Sequence, residues 1–253
     1  MVVKNCEHRF ESILLDSKVV GIGKSQSGFT VSVEHNGEKK NHEFNQVLVA
    51  VGRKPNTGDI GLEKTGVKVN EKGVIQVNEE MRTAEEHIFA IGDVAPGPML
   101  AHKASREGKV AAEVMAGHPS AFDNRAVPAV VFTDPEIAWV GLTEQEAGAQ
   151  GIKVDVGRFP LKALGRARAI GHTEGFAKIL SEPESGRVLG VSMVGPHASD
   201  LIAEGTLAIE MGATLEDILV TIHPHPTLSE AFLEAAEVAA GEAVHVNPPR
   251  KVR

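Results

Sequence analysis

Two histidines and a glutamate near the C-terminal end of the sequence are of the types needed to move a proton. His223 and His225 each precede a proline, and Glu230 follows shortly after the second histidine. A neutral imidazole, with an ordinary pKa near ~6.5, is the side chain best suited to exchanging a proton at neutral pH. A nearby carboxylate can orient such a ring and stabilise its protonated form. Because proline restrains its own backbone and the preceding residue, both histidines are predicted to be extended.

The same segment also has the pattern of a helix start. Thr227 and Glu230 are spaced as in a capping box, in which both side chains bind free N–H groups of the first turn. Apolar residues then recur at helical spacing and predict a helix, namely Leu228, Phe232, Ala235 and Ala239. Local chemistry alone favours capping over catalysis. Both roles can coexist, because a carboxylate has two oxygens with several lone pairs.

A second candidate binding segment lies nearer the middle of the chain. Residues 88–91 are apolar and predict a buried strand, which Gly92 and Asp93 follow directly. Glycine lets a backbone approach a ligand closely, and the aspartate is placed to accept a hydrogen bond from a sugar-like hydroxyl. A helix predicted over residues 100–116 offers free N–H groups and a positive dipole end. Glycine and aspartate after a strand are common, so the pair alone is a weak indication.

The composition excludes several classes of protein. With 253 residues, 42% hydrophobic and 24% charged, the chain has room for one large or two ordinary globular domains. A net charge of −8 argues against a nucleic-acid partner, and no segment approaches the ~20 apolar residues of a membrane span. Cys6 is the single cysteine, which excludes an intrachain disulfide framework. Without an apolar secretory signal after the first residues, a cytoplasmic location is expected, and no metal site is predicted.

Two further stretches of secondary structure are predicted to position these groups. Strands are predicted at residues 19–22, 29–33 and 46–51, with a hairpin at Asn36-Gly37. The last of these strands is apolar at successive positions, as in a strand buried on both faces, and it ends at Gly52. By itself Gly52 is best interpreted as a plain strand end. Residues 124–253 predict a separate α+β unit, with strands at 127–132, 137–141, 152–159, 174–181 and 187–194 and helices at 143–150, 198–211 and 214–219.

Four motifs together resemble one known family. Residues 223–236 (His-Pro-His-Pro-Thr-Leu-Ser-Glu-Ala-Phe-Leu-Glu-Ala-Ala) resemble the C-terminal signature of the dihydrolipoyl dehydrogenase family of flavoprotein disulfide oxidoreductases. Residues 83–93, followed by Met-Leu-Ala-His at 99–102, resemble the second flavin motif of flavoproteins with two dinucleotide domains. Residues 51–56 resemble the exit from the family's NAD domain, and residues 132–141 resemble the start of its dimerisation domain. The resemblance covers nearly the whole chain.

The resemblance implies a fold and a domain organisation. The expected fold is an α+β dimerisation domain preceded by the C-terminal parts of α/β, Rossmann-like NAD- and FAD-binding domains. The expected boundaries are 1–53 for the NAD part, 54–123 for the FAD part and 124–253 for the dimerisation domain.

The resemblance also implies roles for particular residues. His225 would be the acid/base at the dithiol–disulfide centre of the opposite subunit, and Glu230 would hold its ring. His223 matches a family position with no settled catalytic role. Asp93 would bind the ribityl chain of FAD, and the helix start would face the flavin through Met99, Leu100, Ala101 and His102, the last through its backbone. Val19 and Gly52 would lie against NAD.

The family's reaction needs parts that this sequence lacks. The sequence has no Cys-x4-Cys pair and no Gly-x-Gly-x-x-Gly turn, and it is about half the usual family length. The chain is therefore interpreted as the C-terminal half of a homodimeric enzyme that uses FAD and NAD, inactive alone. Its expected partner is the lipoyl domain of a 2-oxo acid dehydrogenase or glycine-cleavage complex. Two alternatives remain open: a non-catalytic dimerisation or interaction module, and a fragment of another disulfide reductase such as glutathione reductase.

Overall fold

A computed structural model describes residues 2–247 of the chain. Met1 and residues 248–253, the last six of the predicted dimerisation domain, lie outside the described part. A short helix, α1 (Val2–Cys6), begins the described chain. The chain divides into two compact units, one formed by Cys6–Pro55 and the other by the residues on either side of that segment. Each unit is described by itself.

The smaller unit contains a three-stranded antiparallel sheet. Its strands follow one another in order as β1 (Ser17–Lys24), β2 (Phe29–His35) and β3 (Glu38–Phe44). The predicted hairpin is confirmed: Asn36 and Gly37 have φ values of 50° and 79°, and they join strands that pair from His35 to Glu38. This is the two-residue turn for which an Asn-Gly sequence is preferred, because both central positions need a positive φ.

The prediction of a buried strand at residues 46–51 is wrong for this structure. These residues have no strand assignment, and Leu48 and Val51 are 91% and 90% exposed. An apolar strand of this kind is stable only between neighbouring strands that pair with its backbone and cover both faces. Among the described residues the sheet of this unit stops at β3, so the segment has no neighbour to pair with.

Residues 56–123 of the larger unit pack loops and turns against one long helix. That helix is α2 (Ala101–Met115), with Leu100 and Ala116 as its caps, which confirms the prediction for residues 100–116. The buried strand predicted at residues 88–91 is reduced to one isolated bridge between Arg82 and Phe89. That bridge consists of the two hydrogen bonds from Thr83 N–H to the Ile88 carbonyl and from Ala90 N–H to the Met81 carbonyl, and residues 88–91 have no strand assignment.

The described residues after 123 form an antiparallel five-stranded sheet covered by helices, which confirms the predicted strands and helices, but they belong to the same compact unit as residues 56–123 and are not separate from it. In chain order the elements are β4 (Ala129–Val131), β5 (Glu136–Gly141), α3 (Glu144–Gln150), β6 (Asp155–Pro160), α4 (Gly165–Ala169), β7 (Phe176–Ser181), β8 (Val188–Gly195), α5 (Ala198–Met211), α6 (Leu215–Leu219) and α7 (Glu230–Ala240). The strand order in the sheet is β4-β5-β8-β7-β6. Helix α5 packs on β5 and β8, and α7 packs on β6 and β7.

Helix α7 lies unusually close to the sheet at Gly157 of β6. A Cβ at Gly157 would lie 1.9 Å from the carbonyl oxygen of Ala235 and 2.6 Å from the nitrogen of Ala239. Both contacts are with helix backbone, which cannot move aside as a flexible side chain would. The close approach therefore fixes the distance of α7, and of Glu230 at its start, from the sheet.

We expect Gly157→Ala to lower the free energy of unfolding by about 1–3 kcal/mol, because the added methyl group overpacks this contact. Gly148→Ala is the matched control: Gly148 lies in α3, and a Cβ at that position would have nothing within 4 Å. The control should raise stability by about 0.5–1 kcal/mol, because alanine is the better helix former. Urea unfolding of both variants measures the difference, and equal stabilities would contradict the close packing.

Candidate functional site

The loop between α6 and α7 presents His225 to solvent and holds its ring from one side. His225 Nδ1 lies 2.9 Å from Oε1 of Glu230, the first residue of α7. The His225 side chain is 76% exposed, whereas that of Glu230 is 17% exposed. The carboxylate is thus the fixed partner, and the exposed ring leaves its Nε2 edge accessible. This is the geometry that a general acid/base needs.

The second oxygen of Glu230 accepts a hydrogen bond from the loop backbone. Thr227 N–H donates to Glu230 Oε2 at 2.7 Å. The other half of the predicted capping box is missing: α7 begins at Glu230 with no side-chain cap, and Thr227 Oγ1 donates to the carbonyl of Pro224 at 2.7 Å. The Glu230 carboxylate therefore both holds the ring of His225 and accepts a hydrogen bond from the loop backbone, whereas the Thr227 hydroxyl donates within the loop.

The environment of Glu230 keeps its carboxylate ionised. Partial burial raises the pKa of Glu230, but the hydrogen bonds from Thr227 N–H and His225 and the charges of His225 and His223 together lower that pKa below its usual value. At neutral pH the ionised carboxylate can only accept hydrogen bonds. Nδ1 of His225 must then carry the hydrogen, which leaves the lone pair on Nε2.

This pKa shift predicts an acid dependence of stability. A folded-state pKa below the unfolded value of 4.5 gives stabilisation that is present above pH 4.5 and lost as the pH falls through the folded pKa. We expect the unfolding free energy of the chain to drop below that pH, and to drop less in Glu230→Gln. Urea unfolding across this range tests the difference. Glu146 and Asp217 have pKa values lowered by their own capping threonines and contribute equally to both proteins, so identical pH profiles would contradict the prediction.

His223 is a buried anchor for the same loop. Its Nε2 lies 2.7 Å from Oε1 of Glu204 on α5, and its Nδ1 lies 2.9 Å from the carbonyl oxygen of Thr221. The side chain is only 4% exposed, so this ring is held on both sides and is not presented to a substrate. No sequence pattern indicates Glu204, which lies 19 residues earlier and meets the loop only through tertiary packing.

A second histidine–glutamate pair lies further along α7. His245 Nδ1 is 2.5 Å from Oε1 of Glu234. The hydrogen bond and negative charge of Glu234 raise the pKa of His245 above its ordinary 6.5, against a smaller opposing effect of burial. Sequence reasoning missed this pair, because the two residues are not in a recognisable spacing.

The residues expected to contact FAD lie together at the start of α2. Gly92 has a φ of 74°, and its N–H donates to Glu107 of α2 at 2.7 Å, which places Asp93 beside the first turns of that helix. Asp93, Ala101 and His102 are exposed, and Met99 and Leu100 are half-buried. The imidazole of His102 is engaged elsewhere, with Nε2 2.7 Å from the carbonyl oxygen of Pro128.

These residues fit one edge of a flavin nucleotide. An exposed carboxylate suits a polyhydroxyl chain, and no side chain caps α2 at Leu100, so its first N–H groups are available to electron-rich ligand atoms. If His102 contributes, it does so through its backbone, as expected from the sequence.

The residues expected to contact NAD do not form a site in this structure. Val19 is 54% exposed on β1, and nothing lies within 4 Å of a Cβ built at Gly52. The strand predicted to end at Gly52 is not formed, so that glycine does not follow a strand here. The contact of Val19 and Gly52 with NAD stays a prediction.

The described residues contain neither a metal cluster nor a membrane-crossing helix. No group of three or more His, Cys, Asp or Glu side chains within residues 2–247 is arranged to hold a metal ion. None of the helices in that range has the length and apolar character needed to cross a membrane.

Comparison with known proteins identifies two family matches along the chain. Residues 9–108 match the pyridine nucleotide-disulphide oxidoreductase model, and residues 127–236 match the dimerisation domain of pyridine nucleotide-disulphide oxidoreductases. Together the two matches cover most of the sequence and both belong to one family of enzymes.

Curated relatives and solved structures agree with these matches. A dihydrolipoyl dehydrogenase from Geobacillus stearothermophilus is 50% identical over 97% of this chain and 52% of its own length. One from Halobacterium salinarum is 58% identical over 85% of this chain and 45% of its own length. The crystal structure of LpdA from Mycobacterium tuberculosis superposes with a TM-score of 0.83 at 28% identity, covering 92% of this chain and 50% of LpdA. The chain thus spans about half the length of the relatives it matches.

Proposed function

The chain belongs to the pyridine nucleotide-disulphide oxidoreductase family, and on that basis we propose that it forms the C-terminal half of a dihydrolipoyl dehydrogenase. Such an enzyme oxidises protein-bound dihydrolipoamide to the disulfide and reduces NAD⁺, using FAD and a redox disulfide. The observation that carries the proposal is the His225–Glu230 pair, with Nδ1 held at 2.9 Å by a carboxylate and the ring 76% exposed.

The role of His225 in this proposal is to move the thiol proton. Nε2 takes a proton from a substrate thiol, because the thiolate and not the thiol is the nucleophile in disulfide exchange. The imidazolium that forms is stabilised by Glu230 through Nδ1–H, and in turn stabilises the neighbouring thiolate. When the proton is returned, the same ring acts as the acid. The two sulfurs of the redox disulfide would come from the partner subunit, on a segment that corresponds to the N-terminal half of the relatives.

FAD, when bound, supplies the electron transfer between the dithiol and the nicotinamide. Within this chain Asp93 would accept hydrogen bonds from the ribityl hydroxyls. The N–H groups at the start of α2, from Ala101 onward, would face the flavin ring, with Met99 and Leu100 beside them. Val19 and Gly52 would contact NAD only in a completed NAD domain.

The proposed assembly is a cytoplasmic homodimer that serves a lipoyl domain. We divide the chain into residues 1–53, 54–123 and 124–253; the family match over residues 9–108 runs across the first of these boundaries, and the match over residues 127–236 lies within the third part. Large apolar side chains of the third part are exposed, among them Phe132 at 79%, Met211 at 74% and Ile222 at 94%. Single exposed apolar residues are normal on a protein surface, so the dimer is proposed from the match of residues 127–236 to a dimerisation domain. In that dimer His225 would face the partner subunit.

The second candidate is a non-catalytic dimerisation module. It is favoured by one observation, the single cysteine of the sequence, because the proposed chemistry needs a cysteine pair. A module of this kind would dimerise without needing FAD or the second half of the family's sequence.

The experiment compares the purified chain with a completed enzyme. We define the completed enzyme as this chain coexpressed with a polypeptide that carries the N-terminal half of the family's sequence, namely the flavin segment, the Cys-x4-Cys pair and the glycine-rich part of the NAD domain. We expect no NAD⁺-dependent oxidation of dihydrolipoamide by the chain alone, and measurable turnover by the completed enzyme. Turnover by the chain alone would contradict the expected inactivity. A complex that forms but has neither FAD nor turnover would favour the non-catalytic module.

A further inference from the structure

A buried ion pair on α2 lies directly behind the segment that carries Asp93. Lys103 and Glu107 are one helical turn apart, with 2.6 Å between Nζ and Oε1, and both side chains are only 2% exposed. Removing two charges from water is costly, and the mutual attraction offsets this cost only when further hydrogen bonds satisfy the remaining polar atoms. The partners of those remaining atoms therefore indicate what the pair is for.

Both members of the pair meet the same residue, Gly92. Its N–H donates to Glu107 Oε2 at 2.7 Å, and its carbonyl oxygen lies 3.4 Å from Lys103 Nζ. Both oxygens of Glu107 are thus used, one for the lysine and one for the glycine. Gly92 adopts a φ of 74°, which few other residues tolerate, and a Cβ there would lie 3.2 Å from Ala104 of the same helix. The lysine stem continues along the loop to Gly97, where a Cβ would lie 3.4 Å from Lys103 Cε.

We propose that Lys103 and Glu107 are positioning residues for FAD: by holding both polar groups of Gly92 they fix Asp93 against the start of α2. The inference rests on the proposed function, in which Asp93 and the first turn of α2 contact the same flavin nucleotide. Helix α2 carries both the ion pair and these N–H groups, so one rigid element sets the distance between them and the carboxylate. Neither residue touches the flavin in this proposal, and both act through Gly92.

Replacement of the ion pair by apolar side chains distinguishes a positioning role from a purely stabilising one. A buried ion pair can generally be replaced by well-packed apolar side chains with little loss of stability. Apolar side chains cannot hold the N–H and C=O groups of Gly92. A pair kept only for stability would therefore be dispensable for FAD binding, whereas a positioning pair would not.

The test uses the completed enzyme, stripped of FAD, with two double variants. K103M/E107L removes both charges and both partners of Gly92, whereas K103M/E107Q removes the charges but keeps an amide oxygen for Gly92 N–H. We expect the dissociation constant for FAD, measured by flavin fluorescence, to rise about tenfold in K103M/E107L, the size of effect of one misplaced hydrogen bond. K103M/E107Q should recover most of the affinity. Because K103M/E107L leaves the buried N–H of Gly92 without a partner, urea unfolding of the FAD-free proteins should show it to be the less stable variant, and FAD affinities are compared under conditions in which both variants are folded.

A matched control comes from the exposed ion pair of Lys178 and Glu144, whose side chains are 20% and 50% exposed. K178M/E144Q should leave FAD affinity unchanged. Wild-type affinity in K103M/E107L would overturn the positioning role and leave the proposed function intact, whereas a wild-type completed enzyme that binds no FAD would contradict the proposed function itself. If K103M/E107L does not fold, Glu107→Asp decides the question, because it keeps the charge but shortens the reach to Gly92. A severalfold weaker FAD affinity supports the role, and an unchanged affinity overturns it.

Discussion

Replacing His225 by glutamine should lower turnover of the completed enzyme by about 10²- to 10⁴-fold, the usual span for loss of a general acid/base, while FAD stays bound. Glutamine resembles the imidazole in size and polarity but cannot take up a proton at neutral pH. Because the ring is 76% exposed and its side-chain partner among residues 2–247 is Glu230, the fold should lose little when the ring is removed. Steady-state oxidation of dihydrolipoamide by NAD⁺ gives the turnover, and the flavin absorbance gives FAD content.

His245→Gln is the matched control for this measurement. His245 is also an exposed histidine, with a side chain 65% exposed and Nδ1 held by a glutamate of α7. It therefore shares the local chemistry of His225 but not its place in the loop between the prolines. We expect nearly normal turnover in His245→Gln. Nearly normal turnover in His225→Gln would mean that the His225–Glu230 pair only shapes the loop.

The elements that could be predicted from the sequence are those whose signals are local. The Asn-Gly turn between β2 and β3, the short helix predicted over residues 143–150 and the helix from Ala198 to Met211 are all found as expected. Each depends on neighbouring residues, such as a cap, a positive φ or an apolar stripe at helical spacing. The contact between His225 and Glu230 was also predictable, since only five positions separate them.

The features that could not be predicted depend on residues that are distant in the sequence or are not among those described. Residues 46–51 have the composition of a buried strand, but strand formation needs neighbours that are not among the described residues. The bond between His223 and Glu204 joins a loop to a helix, and the contacts of Glu107 with Gly92 join a helix to an earlier turn. None of these pairs leaves a pattern in spacing. A lysine and a glutamate one turn apart usually indicate an exposed helix face. The burial of Lys103 and Glu107 could therefore not be predicted from the sequence.

Glu230→Gln should separate orientation of the ring from capping of the loop, with turnover falling by about 10²-fold at a small cost in stability. Glu230 accepts from Thr227 N–H with one oxygen and holds His225 with the other. Glutamine has one oxygen and one NH₂ group, so it cannot accept from both. If its oxygen keeps the Thr227 N–H, its NH₂ group faces His225 Nδ1 and donates to it. The ring hydrogen must then sit on Nε2, the atom that has to receive the thiol proton.

Glu146→Gln is the matched control, because it measures the stability cost of replacing a glutamate that accepts from a backbone N–H but does not hold a histidine. Glu146 accepts from Thr143 N–H at 2.9 Å at the start of α3, just as Glu230 accepts from Thr227. Both substitutions keep an oxygen for the backbone N–H and remove a negative charge from the helix start, so both should lower the unfolding free energy by about 0.3–1 kcal/mol. Only Glu230→Gln should also lower turnover of the completed enzyme. Because the two carboxylates make the same backbone contact, any difference in turnover between the variants is attributable to the imidazole. Equal stability losses with wild-type turnover in both would show that Glu230 acts on the backbone alone, and that His225 reaches its working tautomer without it.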